Sequence, residues 1–178
     1  MSELILPKTY VEVELAKRVI FLAGPIRSAP NWQDKAIELL FKEYSSLVIV
    51  SPRRGVRENI AQYVVTGNDT YFERQRAWEQ HYLELASKQG AIMFWLPGEE
   101  KHDCNKVYGA MTRIELGQGM THYKYDNNVR VCFGTDGSFP EFSTIAYDLS
   151  IHAKDKKILT TLEETCQEAI KVANQKEK

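Results

Sequence analysis

Covalent and metallic scaffolding is nearly absent from this sequence. Of 178 residues only three are cysteine (Cys104, Cys132 and Cys166), odd in number, far apart and without a CxxC pair. That excludes a disulfide framework and reads as reduced thiols of a cytosolic protein. The four histidines show no HxxxH spacing, and of their surroundings only His102-Asp103-Cys104 looks like a ligand cluster. Neither a metal nor a cofactor is expected. No stretch approaches the ~20 apolar residues of a membrane span. The first eighteen residues break their short apolar stretches with charges and offer no small-residue cleavage site, so no secretory leader and no membrane partner is expected, and the location is taken as cytoplasmic. A basic excess is missing too. Lys and Arg number 23 against 24 Asp and Glu, for a net charge of −1. A protein that grips a nucleic-acid polymer needs a clear positive surplus, so a small-molecule ligand fits this balance better.

What remains is enough for one ordinary domain spanning 1–178, with 43% hydrophobic residues to build its core. There is no internal repeat or low-complexity segment. Val19-Ile20-Phe21-Leu22-Ala23, Leu47-Val48-Ile49-Val50, Ala91-Ile92-Met93-Phe94-Trp95-Leu96 and Val129-Arg130-Val131-Cys132-Phe133 are short apolar runs, most of them closed by Gly or Pro. They read as buried strands. Between them lie helical patterns. One follows the N-cap candidate Asn31, with Trp32, Ala36, Leu39, Leu40 and Phe41. Another runs from a cap at Asn68 or Asp69 to about Lys88, with Phe72, Ala77, Trp78, Tyr82, Leu85 and Ala86 largely on one side and Gly90 as its stop. A third covers Ala110 to about Tyr123. The last, about 161 to 175, opens on a capping box of Thr160 and Glu163, and the tail after Asn174 reads as frayed. Residues 53–68 read as a loop, as does 97–109. Alternating strands and helices predict an α/β, flavodoxin-like or Rossmann-like three-layer sandwich with a mainly parallel sheet of about five strands. Ligands of such sheets sit beyond the carboxyl ends of the strands.

Three segments at or near those ends can carry chemistry. Gly24, after Phe21-Leu22-Ala23, lets a ligand approach the backbone, although a plain strand-to-helix turn looks the same; no GxGxxG or GxxxxGK[ST] loop is present. In Gln75-Arg76-Ala77-Trp78-Glu79, a tryptophan packed on the sheet places Glu79 at a cleft margin, or merely on the surface. In Arg113-Ile114-Glu115-Leu116-Gly117-Gln118-Gly119, each in-helix glycine costs about 1 kcal/mol. Two beside a glutamate suggest a close contact there, or else a weakened surface helix. Glu115 falls in the early turns, where the helix dipole favours an ionised carboxylate. Trp78 and Trp95 offer faces for a heterocycle, with core packing the stronger reading for Trp95. The loop Thr135-Asp136-Gly137-Ser138 is either a sugar contact or a turn.

Taken in order, FLAGPI, QRAWEQ, IMFWLP and RIELGQG, spread over roughly residues 18–134, resemble the nucleoside 2-deoxyribosyltransferase-like family, nearer to its FLAGP and WE branch than to the lactobacillal members. The resemblance implies a flavodoxin-like fold and transfer of 2-deoxyribose between nucleobases through a covalent sugar–enzyme ester, in nucleoside salvage. It implies Glu115, the glutamate of ELG, as nucleophile, and Glu79 as the acidic residue that holds substrate or handles protons. Phe21, Gly24, Pro25 and Ile26 would line the sugar and base site, with Gln75, Trp78 and Gly117 also at the substrate. Phe21 stands where lactobacillal members have tyrosine, so the hydroxyl beside the nucleophile must come from elsewhere or be absent. Their base-side aspartate has no clean match; Asp103 is the nearest. The implied partners are a 2′-deoxynucleoside, a free nucleobase and further copies of the chain, as a dimer or hexamer whose subunits complete one another's sites.

The residues are consistent with that chemistry. A retaining displacement at an anomeric carbon takes one carboxylate as nucleophile and one acid or donor at the leaving group. Two alternatives use the same residues differently. One is an N-glycosidase in which water resolves the intermediate, on a nucleoside or a deoxynucleoside 5′-monophosphate, with Arg27, Arg53 and Arg54 as phosphate partners. The other is a nucleotide- or sugar-sensing module without turnover.

Overall fold

The structure is a computed structural model that describes residues 2–7, 10–15, 17–44, 46–54, 64–66 and 72–175, with the backbone alone at 64–66 and 72–74. The proposed cap at Asn68 or Asp69, most of the 53–68 loop and the last three residues lie outside the described residues.

Seven strands form one sheet: β1 (Glu3–Ile5), β2 (Arg18–Ala23), β3 (Leu47–Val50), β4 (Val64–Thr66), β5 (Gly90–Leu96), β6 (Val131–Thr135) and β7 (Ile158–Leu159). Their order is β4-β1-β3-β2-β5-β6-β7, and every pairing is parallel. From β3 to β7 this is the 2-1-3-4-5 order of doubly wound flavodoxin-like sheets, with β1 and β4 added beyond β3. The winding of successive strands switches from one side of the sheet to the other between β2 and β5, so a crevice opens beyond their carboxyl ends. The α/β prediction holds, with a wider sheet than the expected five strands.

Five helices cover the sheet: α1 (Trp32–Glu43), α2 (Phe72–Gln89), α3 (Ala110–Tyr125), α4 (Phe142–His152) and α5 (Leu162–Ala173). Strand side chains alternate in direction and split the core in two. Ile20, Leu22, Ile49 and Met93 pack with Trp32, Ile37 and Leu40 of α1 and Leu162, Cys166 and Ala169 of α5. Phe21, Val50, Phe94 and Phe133 pack with Trp78 and Tyr82 of α2, Leu116 and Met120 of α3, and Ile145 and Leu149 of α4. Thus α1 and α5 lie on one face and α2, α3 and α4 on the other. No helix among the described residues is long and apolar enough to cross a membrane.

Several local readings shift. Gly90 is the first residue of β5 and follows α2 without a turn; a Cβ there would stand 1.7 Å from the Val19 carbonyl oxygen, so close approach to β2, and not a helix stop, selects glycine. The fourth strand begins at Val131 and runs on through Gly134 and Thr135, because its register with β5 extends to Leu96. Gly134 is needed inside it, as a Cβ would come within 2.0 Å of the Thr165 hydroxyl on α5. The capping box lies one residue later than expected: Thr161 caps α5, its hydroxyl accepting from the Glu164 amide. Asn31 does stand at the start of α1, but its side chain donates to Asp34 Oδ2 at 2.6 Å and not to the helix.

Candidate functional site

The helix α2 leads directly into β5, so its first turns stand at the carboxyl end of the sheet. The helix α3 starts at that same end, from Gly109, whose φ of 63° is left-handed and whose missing Cβ makes room for the Phe139 ring at 2.8 Å. Loops after β2, β5 and β6 are tied together there. The Glu100 amide donates to the Ser28 carbonyl at 2.7 Å, and Asp136 accepts from the amides of Gly98 and Ser138. Asp136 is thereby engaged in joining two loops.

Where α2 and α3 face each other, five polar side chains make one chain of contacts. Arg76 Nη1 donates to Glu115 Oε1 at 2.5 Å and to Glu79 Oε2 at 3.3 Å. Gln75 Nε2 donates to Glu79 Oε1 at 2.9 Å and to the Pro52 carbonyl at 3.3 Å. Arg54 Nη2 in turn donates to Gln75 Oε1. Glu79 thus has both oxygens engaged. Glu115 has one: among the described residues its Oε2 accepts no hydrogen bond, nor is it one of the buried atoms sealed away without a partner. Because both carboxylates touch the same nitrogen, those two oxygens can be no further apart than the two contacts laid end to end. That is on the order of the ~5–5.5 Å separation of a retaining carboxyl pair.

Glu115 is only 9% exposed. Burial, and after it the charge of Glu79, pushes its carboxyl up to about 7, against the opposing pull of Arg76. The expectation that the helix dipole leaves Glu115 readily ionised is therefore corrected. It sits in the second turn of α3, and loss of water outweighs the dipole.

A cleft of about 1270 Å³ runs between α2 and α3 with Glu115 among its walls; most of its lining, such as Ser87, Asn128, Arg130 and Lys156, lies towards the amino ends of the strands, and Arg76 and Glu79 are not part of it. Gly119 brings α3 close over β5, since a Cβ would stand 3.0 Å from the Phe94 ring; this is a close contact of the kind the paired glycines suggest. At Gly117 the space is open instead, with nothing within 4 Å of where a Cβ would stand.

The other candidates separate into near and far. Gly24 and Pro25 are buried at the end of β2, where a Cβ on Gly24 would meet the Trp95 carbonyl oxygen at 2.3 Å; the Pro25 carbonyl accepts from Trp32 Nε1 at 2.9 Å and Gln33 Nε2 at 3.2 Å. Ile26 is half-buried, and its carbonyl accepts from Arg53. Phe21 and Trp78 are packed against each other in the core, Trp78 with no exposed surface. Neither presents a face to a heterocycle, and Trp95, 6% exposed, packs in the opposite core. The stacking expected of Trp78 is therefore corrected, since its ring is wholly buried and packs with Phe21 and Tyr82, whereas core packing, the stronger reading for Trp95, holds. Asp103 stays in its own loop, where Lys106 at 3.0 Å and the Asn105 amide hold its carboxyl below the usual range. No contact joins it to Glu115 or Glu79 among the described residues.

The hydroxyl sought beside Glu115 is replaced by a guanidinium. Arg76 was not singled out in the sequence because its partner lies 39 positions away. Its spacing of three from Glu79 on a helix was the available signal. Among the described residues no three His, Cys, Asp or Glu side chains converge as metal ligands. No family model matches this chain, and a comparison with curated proteins returns no match.

Proposed function

We propose that this protein is a nucleoside 2-deoxyribosyltransferase that moves 2-deoxyribose between nucleobases, with Glu115 as nucleophile. The observation that carries the reading is the asymmetry of Glu115: Oε1 is clamped by Arg76, while among the described residues Oε2 is unengaged, on a side chain that lines a cleft.

In the first step a lone pair of Glu115 Oε2 forms a bond to C1′ of the sugar. The C1′–N bond breaks, its electrons leave with the base, and the departing nitrogen takes a proton. The products are a glutamyl ester and the free base. A second base then attacks C1′ through its nitrogen, loses its proton, and returns Glu115 as carboxylate. Glu79, on the same guanidinium as Glu115, is the residue placed to give and receive that proton. A deprotonated Glu115 is required throughout, so turnover rises as pH passes its ionisation near 7. Partly dry surroundings strengthen the nucleophile by stripping its water.

The nearest rival is an N-glycosidase in which water takes the place of the second base; a non-catalytic sensing module is the other. Incubating the protein with a 2′-deoxynucleoside, with and without a different free base, separates all three. Transfer gives a new nucleoside only when the acceptor is present. Free deoxyribose in both tubes assigns the hydrolase, and an unchanged nucleoside in both defeats the enzyme reading. A 2-fluoro-2-deoxynucleoside should leave a covalent adduct on the peptide containing Glu115, read by mass spectrometry. An adduct elsewhere removes Glu115 from the mechanism.

A further inference from the structure

Glu115 carries two burdens that work against its use as an anion: it is buried, and a second carboxylate lies next to it. Among the described residues, the charged groups acting on it are Glu79 and Arg76, both from α2. The sheet beneath α3 offers only hydrocarbon, Ile92 and Phe94. His81 and His122 line the same cleft without bonding to Glu115. One nitrogen therefore answers for both carboxylates.

We propose that Arg76 is the positioning residue of this site: its Nη1 clamps Glu115 by Oε1, supplies the counter-charge that burial demands, and leaves Oε2 without a hydrogen-bond partner among the described residues. The inference rests on the reading of Glu115 as nucleophile for its catalytic consequence, but its electrostatic half stands on the ligand-free protein alone. The geometry has two further consequences. First, Arg76 and Glu79 share one helix face at a spacing of three, so α2 presents the counter-charge and the second carboxylate as one rigid unit. Gln75 fixes that unit from behind, held by the Pro52 carbonyl and Arg54. Second, when Glu115 becomes an ester its charge is gone, and the guanidinium is left to Glu79 alone. When the ester is cleaved, the charge on Glu115 returns and Arg76 is shared again.

Arginine is suited to this, since a planar guanidinium holds several acceptors at once and stays protonated in a partly dry site. A lysine keeps the charge but forms a shorter point contact. Removing the charge while retaining hydrogen-bonding capacity, as in Arg76→Gln, isolates the electrostatic contribution.

The test follows Glu115 directly, by carboxyl-carbon NMR titration of the ligand-free protein labelled at glutamate and assigned with Glu115→Gln. In Arg76→Gln the midpoint of Glu115 should rise by about 1–3 pH units, the range by which a neighbouring opposite charge shifts a carboxylate, and in Arg76→Lys it should return most of the way. On the same samples, kcat/KM for cleavage of a 2′-deoxynucleoside should fall at pH 7 by about tenfold or more in Arg76→Gln and recover towards pH 9. A change of fold alone moves no pH profile. An unmoved midpoint in a folded Arg76→Gln protein overturns the proposal, as does a loss of activity that is equal at every pH. If the midpoint moves but no variant, nor the parent protein, cleaves a deoxynucleoside, the positioning role stands and the deoxyribosyltransferase reading falls. Should Arg76→Gln fail to fold, the comparison is made in a Glu79→Gln background, which has one carboxylate fewer to neutralise; a midpoint that does not rise on adding Arg76→Gln there is equally fatal.

Discussion

The two helical layers that sandwich the sheet are built to different standards. On the α1/α5 side the local rules largely agree with one another, although α1 too lacks a side-chain cap. The helix α5 has a capped N-terminus, acidic residues in its first turn, a lysine in its last, and an apolar stripe of Leu162, Cys166, Ala169 and Val172 at helical spacing. Its buried polar groups are satisfied at short range, Thr165 by the Thr161 carbonyl and Gln33 of α1 by that of Pro25. On the α2/α3 side the rules are broken. The helix α3 starts from a left-handed glycine without a side-chain cap, contains two further glycines, buries a carboxylate, and leaves a cleft between itself and α2. Departures concentrated in one layer are what a functional surface looks like when the rest of the domain supports it.

The sharpest way to break that contrast is Glu115→Gln. Turnover should fall by at least ~10³-fold, the scale of losing a nucleophile, measured by base exchange at saturating deoxynucleoside. Stability should move the other way. Unfolded, the carboxyl ionises near its ordinary value of 4.5, whereas in the fold it holds its proton to about 7. The folded state thus gains from this group at low pH and loses that gain as pH climbs through the window between the two. The amide has no such penalty, so Glu115→Gln should match the parent below that window and exceed it at pH 8 by on the order of 3 kcal/mol, read from urea melts at both pH values. A variant less stable than the parent at pH 8 would make Glu115 a structural residue.

The opposite layer should give the opposite pattern. Leu40 of α1 is wholly buried among Trp32, Leu47 and Ala169. Leu40→Ala should cost about 2–5 kcal/mol, from lost transfer energy and a residual cavity, at all pH values where the parent is folded. Activity per folded molecule should be unchanged well below the melting temperature. If turnover falls with stability still ample, the two layers are coupled and the division drawn above is wrong.

Much of the fold is legible in the sequence because the central strands are continuous apolar runs, and a parallel sheet buried on both faces needs nothing else. β2, β3 and β5 are read within a residue. The outer strands are too short for periodicity to act: β1 and β4 have three residues each and β7 two. α4 is hidden for another reason, as it opens at Glu141 in a left-handed conformation and buries only Ile145 and Leu149. Glycine misleads wherever it serves packing. Gly90 and Gly134 carry the local signature of a stop, yet both sit inside strands where a neighbour's atoms leave no room for a Cβ. At the site, Glu115 and Glu79 could be nominated from their segments, but the link between them could not. Arg76 reaches Glu115 across a fold that no local pattern encodes, and Trp78 looks available for stacking until Phe21 and Tyr82 are seen to cover it.

The smallest expected effect refines the contrast at a single hydroxyl. Thr160 and Thr161 both stand three residues before a glutamate, and the sequence alone does not choose between them. The structure does: Thr161 Oγ1 accepts from the Glu164 amide at 3.2 Å and donates to Glu164 Oε2 at 3.0 Å, while its carbonyl accepts from Thr165. Thr161→Ala removes one satisfied amide and should cost about 1 kcal/mol. Thr160→Ala, at an exposed position outside the helix, should cost within about 0.5 kcal/mol. Paired urea melts decide the register. A larger loss at Thr160 would move the start of α5 by one residue, and with it the stripe of Leu162, Cys166 and Ala169 by a rotation of about 100°, which the packing of Gly134 against Thr165 does not tolerate.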